Sequence, residues 1–249
     1  MIKNLILSLC ILATEANELD YRFNDLLSAF RDLDHTHKLA KTELEGHIGN
    51  FRNGKHPRVR QLRAYFFSLA ARADTVTTYC ETGFNGGHSA LLARFALPDV
   101  NLVFFDMCTD ARCDVGKRFI TDKGPRTRGF FTIVKGDSTR TVPQYAARHP
   151  SIKCQWLSVD GGHFGAVPAG DVLNLKRLAD CRDNVVVMDD IGPLELINKD
   201  KTHYTSIVGK AWYDAVDRGD IHQLHCEQCS YKSICHFCVG RYMCSKLSK

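Results

Sequence analysis

Apolar positions in the first third of the chain recur at the spacing of an α-helix. Two sets of residues repeat every three or four positions: Leu19, Phe23, Leu26, Leu27 and Phe30, and then Val59, Leu62, Phe66 and Leu69. This spacing predicts amphipathic helices between Asn17 and about Arg72. Residues that favour turns lie between the two sets and predict loops there: Gly46, Gly49, Gly54 and Pro57.

From Thr75 onward, short β-prone runs alternate with helix-length segments. The β-prone runs are Thr75 to Cys80, Leu102 to Phe105, Phe130 to Val134, Trp156 to Val159 and Val185 to Met188. The helix-length segments between them include His88 to Leu97, Val167 to Ala179 and His203 to Val216. This alternation predicts a parallel sheet covered by helices on both faces.

The C-terminal residues alternate like two strands of a hairpin. Ile221 to Cys229 and Ile234 to Met243 flank a turn at Ser230 to Ser233. We expect this hairpin to add an antiparallel edge to the sheet, as mixed α/β sheets commonly have.

The first residues have the pattern of a secretory leader. Lys3 precedes an apolar run from Leu5 to Ala13, and Thr14-Glu15-Ala16 places small residues where a signal peptidase cleaves. This pattern predicts a signal peptide, and its apolar run is too short to span a bilayer as a helix. A buried first helix is the alternative. With a cleaved leader the protein is secretory or extracellular, and without one it is cytoplasmic.

These patterns divide the chain into four segments. Residues 1–16 are the predicted leader, 17–74 a helical extension, 75–220 the α/β core, and 221–249 a cysteine-rich hairpin that completes the sheet. The composition, 44% hydrophobic and 24% charged, is ordinary for a globular protein. The net charge of +5 is modest, and the mild basic cluster from Arg52 to Arg63 is better explained as a solvated helical face. No nucleic-acid partner is therefore expected.

Eleven cysteines are many for a cytosolic protein of this length. Loss of the leader removes Cys10 and leaves an even number, as a disulfide framework prefers. Five of the cysteines lie near the C-terminus: Cys226, Cys229, Cys235, Cys238 and Cys244. Their two C-x-x-C pairs suggest zinc, but the gap between the pairs is short, and residues three apart on a strand point to opposite faces. Disulfides or packed thiols are the first interpretation, and zinc is the alternative.

Acidic residues follow each of the five predicted strands. In strand order they are Glu81, Asp106, Asp137, Asp160 and the pair Asp189-Asp190. Ligands of open α/β sheets bind beyond the carboxyl ends of the strands. One acid there would carry little weight, but the repetition predicts a ligand site along this edge of the sheet.

The turn after the first strand has the sequence Glu81-Thr82-Gly83-Phe84-Asn85-Gly86-Gly87. Glycines let the backbone approach a ligand closely, because they lack a Cβ. The spacing differs from the dinucleotide fingerprint G-x-G-x-x-G, and an acidic first residue suits a cationic ligand better than a pyrophosphate. The turn resembles the acidic-x-Gly-x-x-x-Gly motif of class I S-adenosylmethionine-dependent methyltransferases, with Glu81, Gly83 and Gly87 at its defining positions.

This resemblance covers roughly Thr75 to Val216 and implies both a fold and a cofactor. The fold would be a Rossmann-like, doubly wound, mostly parallel sheet with an N-terminal helical extension and an antiparallel C-terminal hairpin. The cofactor would be S-adenosylmethionine. By the same resemblance it would contact the first turn through five residues: Glu81, Gly83, Phe84, Asn85 and Gly87.

Two further acids have cofactor roles by this resemblance. Asp106 would accept both ribose hydroxyls, as the two oxygens of a carboxylate can. Asp137, together with Ser138, would lie beside the adenine. The alternative for both acids is a structural one, in which they close turns, or in which Asp137 caps a helix.

The last two strand ends indicate the reaction type. Asp160, Asp189 and Asp190 would converge there, and unpaired carboxylates brought together favour a bound cation, with Mg²⁺ or a similar hard ion as the natural choice. The arrangement resembles metal-dependent O-methyltransferases, and Asp160-Gly161-Gly162-His163 is similar to the corresponding stretch of sugar O-methyltransferases. That resemblance makes His163 the catalytic base, with Asp160 beside it. The alternatives are a turn role for His163 and a loop cap for Asp189-Asp190.

These features together predict a methyltransferase that acts on a hydroxyl group of a small molecule such as a sugar or polyol. A nicotinamide-dependent oxidoreductase is disfavoured by the glycine spacing. A catalytically silent secreted binding protein on the same fold stays open because of the predicted leader. The sequence carries no signal for an oligomeric state.

Residues outside these motifs have structural expectations. Acceptor specificity should reside in the N-terminal helices and in the loops around Thr109 to Arg128 and Gly192 to Thr202. His88 should cap or pack at the start of its helix, and His35 and His37 should lie on the surface. The two tryptophans, Trp156 and Trp212, should belong to the core.

Overall fold

A computed structural model describes residues 2–42, 57–126, 128–192, 197, 201–227 and 237–244, with only the backbone described up to residue 16. The strands are β1 (Thr78–Thr82), β2 (Asn101–Asp106), β3 (Phe131–Lys135), β4 (Trp156–Val159), β5 (Val185–Met188), β6 (Ile221–Glu227) and β7 (Phe237–Tyr242). The helices are α1 (Ile2–Leu39), α2 (Pro57–Ala70), α3 (His88–Ala96), α4 (Ala111–Lys123), α5 (Ser138–Arg148), α6 (Val167–Leu175) and α7 (Tyr204–Asp217).

The strands form one seven-stranded sheet in the order β3-β2-β1-β4-β5-β7-β6. The first five strands are parallel, and β7 is antiparallel to both of its neighbours. Every residue of β1, β4 and β5 is buried, as expected for central strands with helices on both faces. The strand order reverses between β1 and β4, and this is where sheets of this kind bind ligands. The predicted doubly wound, mostly parallel fold is confirmed.

The C-terminal hairpin completes the sheet with β7 on the inside. β7 pairs with β5, and β6 forms the outer edge. A disulfide joins Cys226 of β6 to the directly opposite Cys238 of β7, and a second one joins Cys181 to Cys244. For these cysteines the disulfide interpretation is confirmed. The predicted turn at Ser230 to Ser233 lies outside the described residues, together with two more cysteines.

Two further disulfides lie in the parallel part of the fold. Cys80 of β1 is bonded to Cys154, which precedes β4, and Cys108 is bonded to Cys113 across the loop after β2. Disulfides persist in oxidising compartments and are rare in the cytosol, so those in the described part of the chain favour a location outside the cytoplasm. None of the described helices combines the length and apolarity of a membrane span. The cleaved leader stays a prediction.

The core has two halves, one on each face of the sheet. Helices α1 to α4 cover one face around Phe66, Phe104 and Trp156, and helices α5 to α7 cover the other around Phe105 and Trp212. Both tryptophans are almost completely buried, which confirms the core prediction. Side chains of α1 are also buried, so the N-terminal extension belongs to one of the two packed layers.

One predicted loop is a helix in the structure. The segment from Thr109 to Arg128 contains α4, whose first turn is capped by Asp110 through a hydrogen bond accepted from the Arg112 N–H at 2.8 Å. Only a narrow stripe of α4 is buried, and charged residues fill the rest of the helix. That narrow stripe explains why the hydrophobic pattern was too weak to predict the helix.

Candidate functional site

The glycine turn after β1 is built against the end of β4. A Cβ placed on Gly83 would lie 1.9 Å from the carbonyl oxygen of Asp160, so only glycine fits there. Gly83 also has φ +93°, a left-handed conformation that glycine adopts without strain. Its N–H donates to the carbonyl oxygen of Phe105 at 2.8 Å. The turn after β1 and the loop after β4 therefore form adjoining walls of one crevice.

Asp106, at the end of β2, holds the glycine turn in place. Its Oδ2 accepts hydrogen bonds from the N–H groups of Phe84 (2.7 Å) and Asn85 (3.0 Å). Its Oδ1 accepts one from the N–H of Cys108 at 2.7 Å. A carboxylate has about four acceptor positions, so roughly one is left for a ligand hydroxyl. Asp106 therefore has an observed structural role in holding the turn, and its contact with a ribose stays a prediction.

Phe84 faces the core and not the crevice. Its side chain is 2% exposed and packs at ring-centroid distances of 5.2 Å from Phe104 and 5.8 Å from Phe131. The prediction that Phe84 binds the cofactor can therefore hold only for its backbone. The same packing accounts for Gly87, where a Cβ would lie 2.8 Å from Ile120 and 3.0 Å from the Phe84 ring.

Glu81 is buried at the base of the turn and is held from within the protein. The hydroxyl of Tyr79 donates to Glu81 Oε2 at 2.6 Å, and the two side chains share one face of β1 because side chains alternate along a strand. Burial raises the pKa of Glu81 well above its ordinary value, Asp160 raises it further, and the Tyr79 hydrogen bond opposes the rise. Tyr79 in turn lies 3.4 Å from the hydroxyl of Tyr65, which accepts a hydrogen bond from the indole N–H of Trp156. The carboxyl group of Glu81 is therefore held in place by a neighbour on its own strand.

Asp137 caps helix α5. Its Oδ1 accepts hydrogen bonds from the backbone N–H of Thr139 at 2.9 Å and from the Thr139 hydroxyl at 2.6 Å, and these bonds lower the pKa of Asp137. The alternative of a helix N-cap is thus present in the structure. Ser138 follows it as the first residue of α5. Contact of these two residues with an adenine stays a prediction.

At the ends of β4 and β5, two acids and a histidine come together. Potential ligand atoms of Asp160, His163 and Asp190 all lie within 4.8 Å of one another. His163 Nε2 is 3.4 Å from Asp190 Oδ2 and 3.9 Å from Asp160 Oδ1. We call these three residues the acid cluster. Asp189 is outside it, with Oδ1 accepting the Asp190 N–H at 2.9 Å.

The pKa values of Asp160 and His163 are shifted by burial and by the charges around them. Desolvation raises the pKa of Asp160, His163 opposes the rise, and Asp189 adds to it. The pKa of His163 is raised, first by its interaction with Asp160, while burial opposes the change. Two carboxylates and an imidazole suit a divalent cation. The imidazole suits Fe²⁺ or Zn²⁺, whereas the two carboxylates suit Mg²⁺ or Mn²⁺.

Comparison with known proteins yields matches at the level of structure. No protein-family model matches the chain, and no curated protein matches its sequence. TomG is an O-methyltransferase from Streptomyces achromogenes involved in tomaymycin synthesis, solved in complex with S-adenosylmethionine. It is 16% identical to the chain, with a TM-score of 0.64 over 86% of this chain and 89% of that one. An O-methyltransferase from Bacillus cereus in complex with S-adenosylhomocysteine is 11% identical, with a TM-score of 0.65 over 86% and 90%.

The chain has the class I methyltransferase fold. CalS11, a TDP-rhamnose 3'-O-methyltransferase of calicheamicin biosynthesis, is a more distant match, with 14% identity and a TM-score of 0.50 over 91% of this chain and 94% of that one. At such identities the likeness establishes the fold. In this fold, the glycine turn and the loop that carries the acid cluster lie side by side where Gly83 meets the carbonyl group of Asp160.

Helix α1 supplies a contact to the glycine turn that was not predicted from the sequence. His37 was expected on the surface, and this was wrong: it is 1% exposed, and its Nε2 lies 3.0 Å from the carbonyl oxygen of Gly86. His35 is exposed, as predicted. A signal was present, because His37 continues the alternating three- and four-residue spacing of the buried α1 side chains: Phe23, Leu26, Phe30 and Leu33.

His88, the first residue of α3, packs beside His37. Its Nε2 lies 2.7 Å from Asp34 Oδ1, and its ring meets that of Phe30 edge-on at 5.2 Å. The predicted packing role of His88 is confirmed. The C-terminal part of α1 therefore contacts both the glycine turn and the helix that follows it.

Proposed function

We propose that this protein transfers the methyl group of S-adenosylmethionine to a hydroxyl group of a small molecule, and that the acid cluster binds a divalent cation for this reaction. The main support is the contact of Gly83 with the Asp160 carbonyl, because a side chain could not fit between them. A methyl donor held by the turn and an acceptor held by the cluster would therefore be neighbours in one crevice.

The chemistry needs both walls of that crevice. The acceptor oxygen attacks the methyl carbon in line with the carbon–sulfur bond, that bond breaks with its electron pair passing to sulfur, and the acceptor proton must leave. A neutral alcohol is a poor nucleophile, and a divalent cation supplies acidity to a hydroxyl bound to it. Asp160 and Asp190 would hold the cation. Much of the rate enhancement would come from holding acceptor oxygen and methyl carbon in line.

His163 would take the proton in this proposal, as a base within hydrogen-bond reach of the acceptor. The same Nε2 faces Asp190, so His163 is also a possible third ligand of the cation. One nitrogen cannot do both at once. A His163→Ala variant separates the two roles: as a base, its loss leaves Mn²⁺ affinity unchanged and slows methyl transfer, whereas as a ligand it weakens Mn²⁺ binding as well.

The acceptor class is a small molecule with a hydroxyl, of a sugar or polyol type. Two exposed apolar side chains directly follow residues of the proposed site in sequence, Phe164 after His163 (66% exposed) and Met107 after Asp106 (57% exposed). They offer an apolar surface on which the body of an acceptor could lie. The likeness of the fold to that of CalS11 supports a sugar-type acceptor.

A direct test is transfer of isotopically labelled methyl from S-adenosylmethionine to a panel of nucleotide sugars, polyols and catechols, with and without chelator. The expected result is label in one acceptor class, lost on chelation and restored by Mn²⁺ or Mg²⁺. Transfer that is insensitive to chelator would contradict the role of the cation. Absence of transfer to every class would contradict the proposed reaction.

A second candidate is a catalytically silent binding protein on the same fold. S-adenosylmethionine is chiefly a cytosolic metabolite. The disulfides favour this second candidate, because they indicate a compartment outside the cytosol. This candidate predicts ligand binding without methyl transfer in the assay above.

A further inference from the structure

Gly86, in the middle of the glycine turn, has its carbonyl group enclosed by two helices. On one side lies His37 of α1, with its Nε2 3.0 Å from the carbonyl oxygen. On the other side lies Gly116 of α4, where a Cβ would be 2.3 Å from the same oxygen. Gly86 is therefore held between α1, which precedes the turn in sequence, and α4, which follows it.

The hydrogen bond to Gly86 fixes the position of one ring hydrogen of His37. A carbonyl oxygen only accepts, so Nε2 must carry a hydrogen and donate it to Gly86. In the neutral form with its hydrogen on Nε2, Nδ1 accepts from the Thr42 hydroxyl at 2.7 Å, and that hydroxyl also lies 3.2 Å from the carbonyl oxygen of His37, to which it can donate instead. Both ring nitrogens are satisfied in this neutral form. Burial lowers the pKa of His37, which favours the same form.

The position of the Gly86 carbonyl determines the conformation of the turn. The residues on either side, Asn85 and Gly87, both have left-handed backbones, with φ of 47° and 93°. Such conformations are sparsely populated outside glycine and persist only where the surroundings specify them. If the carbonyl turned away from His37, a buried donor would be left without its acceptor. The bond from His37 therefore selects one arrangement of the two peptide units that flank Gly86.

We propose that His37 is a positioning residue for the cofactor turn. It holds Gly86 so that the backbone from Gly83 to Gly87 has the shape that receives S-adenosylmethionine before the cofactor arrives. The part that concerns the cofactor rests on the proposed function. Helix α1 thereby contributes to cofactor affinity, and not only to acceptor specificity as its place in the N-terminal extension suggested.

Three variants test this role. His37→Leu removes the donor, and His37→Gln restores an N–H that can reach the Gly86 carbonyl. Leu33→Ala is the matched control, because Leu33 is fully buried on the same helix and its loss weakens packing without removing that bond. Each variant is measured for affinity to S-adenosylhomocysteine by calorimetry, and for amide hydrogen exchange of the segment 83–89 in the unliganded protein.

We expect His37→Leu to speed exchange in the turn and to weaken S-adenosylhomocysteine binding by about tenfold, the effect of roughly 1.4 kcal/mol. His37→Gln should restore both properties to within about threefold of wild type, a difference of less than 1 kcal/mol. Leu33→Ala should lower the melting temperature and change neither property. Unchanged exchange and affinity in His37→Leu, or the same changes in Leu33→Ala, would overturn the inference.

The two proposals can fail separately in this experiment. If the wild type binds S-adenosylhomocysteine and His37→Leu binds it equally well, the positioning role is wrong and the proposed cofactor stands. If the wild type does not bind it, the proposed function is wrong. Faster exchange of the turn in His37→Leu would then still support the role of His37 in shaping the turn.

Discussion

The two walls of the crevice differ in how their polar groups are satisfied. In the wall formed by the glycine turn, the protein provides the partners: Asp106 accepts three backbone N–H groups, Glu81 is bonded by Tyr79, and the Gly86 carbonyl is bonded by His37. In the wall formed by the acid cluster, the contacts of the histidine with the two acids are longer. The imidazole of His163 lies 3.4 and 3.9 Å from two carboxylates that repel each other.

This difference suggests that the two walls have different roles, one in binding the cofactor and the other in the reaction. A wall whose polar groups already have partners keeps its form without a ligand and binds through its backbone and shape. A wall in which carboxylates converge gains most when a cation or a proton arrives. Substitutions in the first wall should therefore change stability and cofactor affinity, and substitutions in the second should change cation binding and turnover.

The largest effect on the free energy of unfolding should come from removing the disulfide that joins β1 to the residues before β4. The Cys80–Cys154 disulfide joins β1 to the start of β4 and closes a long loop, with a sequence separation of 74. In the chain-entropy view its removal costs about 4 kcal/mol, against about 2 kcal/mol for the short Cys108–Cys113 loop. Urea unfolding of the two double-alanine variants measures both. Equal losses would show that loop length does not govern the contribution of these bonds.

The buried Asp171 should make the protein less stable as the pH rises. It is fully buried on α6, close beneath Gly161 of the second wall, and neither of its oxygens has a hydrogen-bond partner of normal geometry. Burial raises its pKa to about 6, although the hydroxyls of Ser138 and Thr82 oppose the rise. The folded state thus holds this proton more tightly than the unfolded chain does, and stability falls as the pH rises from about 4 to about 6.

Asp171→Asn should recover most of that loss, up to about 3 kcal/mol at pH 8, and almost none of it at pH 4. Urea unfolding at the two pH values measures this. Asp180→Asn is the control of opposite sign, because hydrogen bonds from Arg182 and Gln155 lower the pKa of Asp180, and its contribution is lost as the pH falls. Equal stabilisation of Asp171→Asn at both pH values would contradict an ionised buried carboxylate.

The acid cluster should respond to loss of one carboxylate mainly through cation affinity. We expect Asp190→Asn to weaken Mn²⁺ binding by roughly a hundredfold, since it removes a charged ligand and not an outer-shell contact. Its affinity for S-adenosylhomocysteine should stay within about threefold of wild type, under 1 kcal/mol. Asp189→Asn is the matched control and should weaken Mn²⁺ binding less, because Asp189 lies outside the cluster. A larger effect of Asp189→Asn would support the predicted ligand set, which includes Asp189.

The smallest effect should come from Asp137. Its observed role is to cap α5, so Asp137→Ala should lower the melting temperature slightly. If capping is its whole role, the affinity for S-adenosylhomocysteine stays the same. Weaker binding, measured by calorimetry at a temperature where the variant is folded, would instead support the predicted contact with adenine.

The elements of the sheet could be predicted from the sequence because buried parallel strands are short, nearly continuous apolar runs. The predicted limits of two strands, Trp156 to Val159 and Val185 to Met188, coincide with those of β4 and β5. Helix α4 could not be predicted because its buried stripe is narrow. Disulfide partners were also out of reach, since many pairings are compatible with the same set of cysteines.

The candidate site could be predicted as a place but not as a set of contacts. The acids at the strand ends predicted a site along one edge of the sheet, and Asp160 and Asp190 do lie together there, because parallel strands bring their carboxyl ends to the same edge. The sequence could not show that Asp190 has a left-handed backbone with φ of 59°, or that Asp189 lies outside the cluster. It also could not show that His37 reaches the turn, because that contact depends on how α1 packs.

The central claim is that the wall formed by the glycine turn binds S-adenosylmethionine and that Asp106 shapes this wall. Calorimetric titration with S-adenosylhomocysteine, with and without Mn²⁺, tests it on the wild type and on Asp106→Ala. We expect the wild type to bind under both conditions and Asp106→Ala to bind at least about tenfold more weakly, a loss of roughly 1.4 kcal/mol. Absence of binding to the wild type, or equal binding to Asp106→Ala, would contradict it.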